Sequence, residues 1–288
     1  MKPISLVNGK FEDKISVFDR GLAYGDGFFE TMVWTKENKT EFFFIEFWER
    51  HLKRLSDGCK MLNINLPPKS ILNNYRDKII RKAIQLGYLS GVIKIIVTRG
   101  SGGRGYKYEK NMIPTVVFIV SEIPIYSIKE LIKGVNIKFC NTKLSSNSCI
   151  AGYKHLNRLD SVLARSEWDK KEIFEGLITD DKDDVIEGTM TNVFTISEDV
   201  IYTPTISKIG IKGIMREIVL EKFSNYFKDI VQCKISKERL LASESIFLTN
   251  SIIKIIPVKN IEGKTYKIDK RVKNLMKQFN SLDFLKSN

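Results

Sequence analysis

The stretch Ala151-Gly152-Tyr153-Lys154-His155-Leu156-Asn157-Arg158-Leu159 sets a lysine between a glycine turn and the first residues of an apolar periodicity. Leu156, Leu159, Val162 and Leu163 have the spacing of an amphipathic helix, expected to run from there toward Lys170 and Lys171, a basic end suited to a helix C-terminus. Two further stretches accompany it. Glu187-Gly188-Thr189-Met190-Thr191-Asn192-Val193-Phe194 puts a carboxylate at the end of one strand and before the next. Gly213-Ile214-Met215-Arg216 puts a glycine ahead of a helix whose Met215, Ile218, Val219 and Phe223 share one side. A lysine opening a helix is commonly exposed, and a strand carboxylate is commonly solvated. The three stretches in this order carry the argument together.

The surrounding chain bounds what they can do. At 288 residues, with 43% hydrophobic and 28% charged residues, the composition is that of a globular protein with one large or two modest cores. The net charge of +13 raises the question of nucleic acid. The basic residues are mostly lysines spread along the chain with no aromatic-interleaved cluster, so no nucleic-acid partner is expected; a field that attracts a small anionic substrate is. Cys59, Cys140, Cys149 and Cys233 form no CxxC spacing and are expected to be reduced, partly buried thiols. The only two histidines, His51 and His155, argue against a His-rich metal centre or a Ser–His–Asp hydrolase, and no metal is expected. Met1-Lys2-Pro3 opens no apolar leader, and runs such as Phe42–Ile45 are far too short to span a bilayer. A cytoplasmic protein with no membrane partner is expected.

Along the first part, short strands are expected at Ser5–Asn8, Ile15–Phe18, Phe28–Trp34 and Glu41–Phe44, with Asn8-Gly9 as a turn. Helices are expected over Ile45–Leu62 and Ser70–Leu86, then strands at Gly91–Thr98 and Thr115–Val120. Later strands are expected at Val135–Cys140, Gly176–Thr179, Val185–Glu187, Val193–Ile196 and Ser245–Thr249, with Asp180–Asp184 a solvated acidic turn. Residues 1–121 would form a small domain, 122–128 a linker around Pro124, and 129–288 a larger domain that carries Lys154. Gly100-Ser101-Gly102-Gly103-Arg104-Gly105 fits GxGxxG, but no helix follows it, only a short polar stretch and Pro114. A dinucleotide fingerprint needs that helix, so a strand-to-strand loop presenting Arg104 is expected instead.

An amine that can form a Schiff base, a carboxylate that keeps a pyridine nitrogen protonated, and a glycine turn opening a helix for a phosphate are what pyridoxal chemistry requires. The three stretches resemble those of the fold-type IV, or class IV, pyridoxal-phosphate enzymes. So do Ser16-Val17-Phe18-Asp19-Arg20-Gly21, Tyr24-Gly25-Asp26-Gly27 and His51-Leu52-Lys53-Arg54-Leu55, and the likeness extends over nearly the whole chain. Within that family, which holds branched-chain and D-amino acid aminotransferases and aminodeoxychorismate lyases, Arg99–Tyr106 and Lys154–Leu159 look like the lyase versions.

The resemblance implies pyridoxal 5'-phosphate as cofactor, a homodimer, and two α/β domains: a small α/β sandwich and a larger α/β pseudo-barrel, with the cofactor between them. Lys154 would be the Schiff-base lysine and proton shuttle, and Glu187 the partner of the pyridine nitrogen. Arg54, the backbone at Ile214 and Met215, and Ser251 would hold the phosphate. Asn192 would be a supporting hydrogen-bonder and not a catalyst. Arg158 stands where aminotransferases of the family have a tyrosine near the ring. Arg104, Tyr106 and Phe29 would meet substrate. D-amino acid aminotransferases hold an α-carboxylate with a tyrosine and an Arg-x-His. This chain keeps Arg104 but has Phe29 and Tyr106 at the other two positions, and phenylalanine donates no hydrogen bond. The expected reaction is therefore conversion of 4-amino-4-deoxychorismate to 4-aminobenzoate and pyruvate. The alternatives are a branched-chain or D-amino acid aminotransferase on the same scaffold and a non-catalytic nucleic-acid-binding protein. His51 is expected to be a helix-surface or packing residue, and Arg99 to pair with a carboxylate elsewhere.

Overall fold

The computed structural model describes residues 2–37, 40, 42–124 and 132–279. The chain folds as two compact units, residues 1–124 with Tyr153–Asn157, and residues 125–152 with 158–287. The linker expected at 122–128 falls in part on 125–131, outside the described residues. Glu41 of the expected Glu41–Phe44 strand also lies outside them. Among the described residues no helix is long and apolar enough to cross a membrane.

The first unit runs through β1 (Ile4–Val7), α1 (Arg20–Tyr24), β2 (Gly27–Lys36), β3 (Phe43–Ile45), α2 (Trp48–Met61), α3 (Lys69–Gln85), β4 (Ser90–Thr98) and β5 (Thr115–Ser121). Its strands form an antiparallel sheet in the order β1-β5-β4-β2-β3. Ile93, Ile95 and Val97 alternate toward a core filled by Leu52, Leu55 and Cys59 of α2 and by Leu72, Ile79 and Ala83 of α3. Gly58 lets α2 approach the sheet, because a Cβ there would lie 3.0 Å from the Phe28 ring. The Asn8-Gly9 turn is present with φ of 49° and 80°.

The strand expected at Ile15–Phe18 does not form. Ser16 accepts the Phe18 N–H, and Asp19 caps α1 by accepting the Gly21 N–H. These side chains divert the backbone from a ladder, leaving Val17 and Phe18 exposed. Lys154 was expected within the second domain. Its segment instead lines the first: Phe29 N–H donates to the Lys154 carbonyl at 2.9 Å and Leu156 N–H to the Gly27 carbonyl at 3.0 Å.

The second unit contains β6 (Val135–Lys143), α4 (Leu159–Arg165), β7 (Ile173–Thr179), β8 (Val185–Gly188), β9 (Asn192–Ser197), β10 (Val200–Pro204), α5 (Ile214–Lys222), β11 (Asp229–Cys233), α6 (Lys237–Ala242), β12 (Ser245–Asn250), β13 (Lys254–Ile261), β14 (Lys264–Thr265) and α7 (Lys270–Phe279). They build a mixed nine-stranded sheet, β11-β10-β9-β12-β13-β6-β7-β8, with β14 against β13. The sheet curls into a half-barrel, and Val185 N–H on the edge strand β8 donates to the Ile235 carbonyl just beyond the opposite edge strand β11 at 2.7 Å. One face is packed by Leu177, Val193, Ile246, Leu248, Ile256 and Val258. On the other, Phe194 and Phe247 stack at 4.8 Å, and Phe223 bridges Phe247 to Phe279. Central strands covered on both faces read as unbroken apolar runs, which is why Val193-Phe194 and Ile246-Phe247-Leu248 show no alternation.

The helix expected from Leu156 to Lys171 is confined to α4. Leu156 hydrogen-bonds to Gly27, and the Ser166 hydroxyl folds back onto the Leu163 carbonyl to close the last turn. Trp168 is drawn into the core, its indole N–H donating to the Ile173 carbonyl, and this turns the chain away before Lys170. Asp180 organises the acidic turn by accepting the Lys182 and Asp184 N–H groups. All four cysteines are free, Cys59 and Cys140 buried and Cys149 exposed.

Candidate active site

In the first unit the site residues hang on β2 and the segment beside it. Phe29 and Glu30 are consecutive on β2, so their side chains leave opposite faces. The Lys154 amine lies 4.4 Å from the centre of the Phe29 ring, and the Lys94 amine 4.9 Å from the same ring. Burial lowers the Lys94 amine from its ordinary value. Tyr153 meets Phe28 edge-on at 6.1 Å, which anchors the residue before Lys154 in the core.

On the other face, α2 presents His51 and Arg54, three residues apart and hence on one side, to Glu30. Arg54 forms a two-pronged pair, Nε to Oε1 at 2.8 Å and Nη2 to Oε2 at 2.6 Å. His51 Nδ1 lies 2.6 Å from Oε2. Burial alone would raise the Glu30 carboxyl, but Arg54 and His51 hold it down at about 2. Burial also lowers His51, against the pull of Glu30. His51 is buried against Glu30, the packing position of the two expected for it and not the helix surface.

Arg104 and Tyr106 stand on the β4–β5 loop, Tyr106 87% exposed. Arg104 makes no side-chain hydrogen bond among the described residues. The loop backbone is fixed from below. Arg20 donates to the Gly105 and Tyr106 carbonyls, and the Tyr24 hydroxyl accepts the Gly105 N–H. Asp26 holds Arg20 and is gripped by Arg99 through Nε at 2.7 Å and Nη2 at 2.9 Å. Asp26 is the carboxylate expected for Arg99. Burial opposes its ionisation, and the two guanidiniums outweigh that and lower it.

In the second unit Glu187 is 4% exposed at the end of β8. Its Oε2 accepts the Ile211 N–H at 2.8 Å and the Asn192 amide at 3.3 Å, and the same Asn192 nitrogen donates to the Ile211 carbonyl at 2.9 Å. Asn192 thus ties Glu187 to the Ile211 backbone. A Cβ on Gly213 would sit 2.1 Å from Asn192 Oδ1, so only glycine fits there. The turn between Glu187 and Asn192 is tied to Glu175, which accepts from the backbone of Thr189 and Met190 and from both threonine hydroxyls, Thr189 and Thr191. Burial raises the Glu175 carboxyl, and those donors work against it. Arg158 precedes α4, is lowered by burial, and feels the opposing charge of Glu187.

Gly213 is the N-cap of α5 and supplies no side-chain cap, so the first-turn N–H groups at Ile214 and Met215 are left for another acceptor. Ser251 lies in the β12–β13 turn. Asn250 Oδ1 accepts the Ile252 and Ile253 N–H groups, and the Lys254 amine donates to the Ser251 carbonyl at 2.6 Å. Burial pushes that amine down to about 7. Thr249 Oγ1, opposite Asn192 in the β9–β12 register, is buried without a partner among the described residues, the kind of orphan a bound group satisfies. An uncapped helix start, a buried carboxylate held from one side and an orphan hydroxyl fit a phosphorylated, nitrogen-bearing ring.

Glu30, Asp26, Glu175 and Lys254 were not singled out from sequence. Each is an ionisable residue inside or beside an apolar run, as in Phe28-Phe29-Glu30-Thr31-Met32 and Ile252-Ile253-Lys254-Ile255-Ile256, and that interruption is the signal.

Comparison with known proteins agrees with this geometry. The sequence profile described as amino-transferase class IV matches residues 27–261. The chain is 30% identical over 263 residues to an aminodeoxychorismate lyase of Vibrio harveyi, covering 91% of this chain and 93% of that one. It is 27% identical over 269 residues to a D-alanine aminotransferase of Bacillus licheniformis, covering 90% and 89%. The crystal structure of a 4-amino-4-deoxychorismate lyase from Pseudomonas aeruginosa superposes with a TM-score of 0.87 at 34% identity, over 97% of this chain and all of that one.

Proposed function

The chain belongs to the amino-transferase class IV family, and from that premise we propose that it is a pyridoxal-phosphate lyase converting 4-amino-4-deoxychorismate to 4-aminobenzoate and pyruvate. Lyase relatives at 30% and 34% identity over nearly their whole length support the substrate. The observation that favours it over a D-amino acid aminotransferase is Phe29. The ring against the Lys154 amine has no hydroxyl to hold an α-carboxylate.

When bound, pyridoxal phosphate supplies a ring that accepts electrons from carbon. Lys154 would carry the cofactor, and its amine would take the proton from C4 of the substrate. Its tether makes that transfer effectively unimolecular. Glu187 would hold a proton on the pyridine nitrogen, and Asn192 with the Ile211 N–H keeps the carboxylate aimed. Arg54, Ser251 and the N–H groups of Ile214 and Met215 would hold the phosphate. Arg158 would stand near the ring. Arg104 and Tyr106 meet the substrate carboxylates. Loss of the enolpyruvyl group from C3 leaves an aromatic ring, which drives the elimination. The same proposal includes a cytoplasmic homodimer.

The test is purified protein given freshly generated 4-amino-4-deoxychorismate, with both products followed in one tube. Equal 4-aminobenzoate and pyruvate, abolished by Lys154→Ala, are expected. Conversion of an amino acid to its keto acid with neither product formed would replace the lyase by an aminotransferase.

A further inference from the structure

We infer that Glu30 and His51 are positioning residues that set the guanidinium plane of Arg54 and so determine how strongly the protein prefers a phosphorylated cofactor. This rests on the proposed role of Arg54 at the phosphate.

The three side chains form a closed arrangement in the first unit. Both oxygens of Glu30 take the Nε–Nη2 edge of Arg54, and His51 adds a third donor to Oε2. A guanidinium gripped along one edge has lost rotation about its terminal bonds, so its remaining edge is aimed before any ligand arrives. Glu30 also cancels charge, which works against an anion. Orientation outweighs this, because Arg54 and Glu30 are almost fully buried, and a misdirected guanidinium there would give up its hydrogen bonds without regaining water.

His51 completes the device. Glu30 is the ionised partner and can only accept, so the hydrogen between them resides on Nδ1. Nε2 is buried with no partner among the described residues. A histidine spent on one hydrogen bond to a carboxylate, with its other nitrogen left dry, is doing orientation and not proton transfer. The ring fixes Oε2 from the α2 side, so the carboxylate cannot swing and carry Arg54 with it.

The readout is the ratio of the dissociation constants of pyridoxal and pyridoxal phosphate for the apoprotein. General loosening of the fold weakens both ligands and leaves the ratio, whereas misaiming a phosphate ligand changes it. Glu30→Gln and His51→Leu are expected to lower the ratio by about tenfold, the worth of one charge-assisted hydrogen bond. His51→Asn, whose amide nitrogen replaces Nδ1, is expected to restore it. Apoprotein melting temperatures identify any variant that fails to fold, and the His51 pair then decides. If Arg54→Ala collapses the ratio while Glu30→Gln and His51→Leu leave it intact, the positioning inference is wrong and the role of Arg54 stands. If Arg54→Ala leaves the ratio unchanged, the phosphate role falls, and the inference with it.

Discussion

Replacing Glu30 by glutamine should make stability less sensitive to acid over a window where the parent protein is steeply sensitive. The carboxyl drops from the usual 4.5 to about 2 in the folded chain. At about 1.4 kcal/mol per pH unit, that is roughly 3 kcal/mol of stability. The folded state favours the ionised form, so this contribution is fully present above pH 4.5 and drains away as the pH falls toward about 2. Protonated glutamate and glutamine are alike in shape and charge. The difference between parent and Glu30→Gln should therefore be about 3 kcal/mol at pH 7 and should shrink by more than half by about pH 3. Urea titrations at stepped pH, read from tryptophan fluorescence, measure it, since Trp34 and Trp48 are buried in the same core as α2 and β2. A gap that stays constant from pH 7 to 3 would refute the reasoning, because the ion pair would then contribute nothing that protonation can remove.

Three further outcomes follow from buried groups. Lys254→Met should stabilise the protein by about 2–3 kcal/mol at pH 6, the burial cost of the charge less one hydrogen bond to the Ser251 carbonyl. Because the folded amine is depressed, that gain should fade as pH climbs from about 7 to 10.5, and thermal melts across that range would show it. Gly213→Ala should displace Asn192, cost about 1–3 kcal/mol, and weaken cofactor affinity at least about tenfold in a titration of the apoprotein. Asp26→Asn should loosen the loop bearing Arg104, seen as faster proteolysis between Gly100 and Met112 with cofactor affinity unchanged.

What was legible in the sequence was what local chemistry encodes. Leu52, Leu55 and Cys59 at helical spacing marked α2, and the β-branched residues of Gly91–Thr98 marked β4. Lys154, Glu187 and the Gly213 turn were singled out by their resemblance to the class IV enzymes, whose chemistry calls for those residue types near recognisable turns. Pairings that arise only in the fold were not legible. Nothing near Glu30 in the chain announces Arg54, 24 residues away, and nothing near Glu175 announces the threonines at 189 and 191. The overlong helix after Lys154 failed for a similar reason. Its apolar spacing was sound, but Leu159, Val162 and Leu163 are exposed, and Trp168 had a buried place that ended the helix first.

Lys154 carries the central claim, and borohydride reduction of the purified protein loaded with pyridoxal phosphate, followed by peptide mass analysis, tests it most directly. The expected result is a single phosphopyridoxyl group on the peptide containing Lys154, with none formed in Lys154→Ala. A group fixed on Lys254, Lys94 or any other lysine, or no fixed group at all, would contradict it.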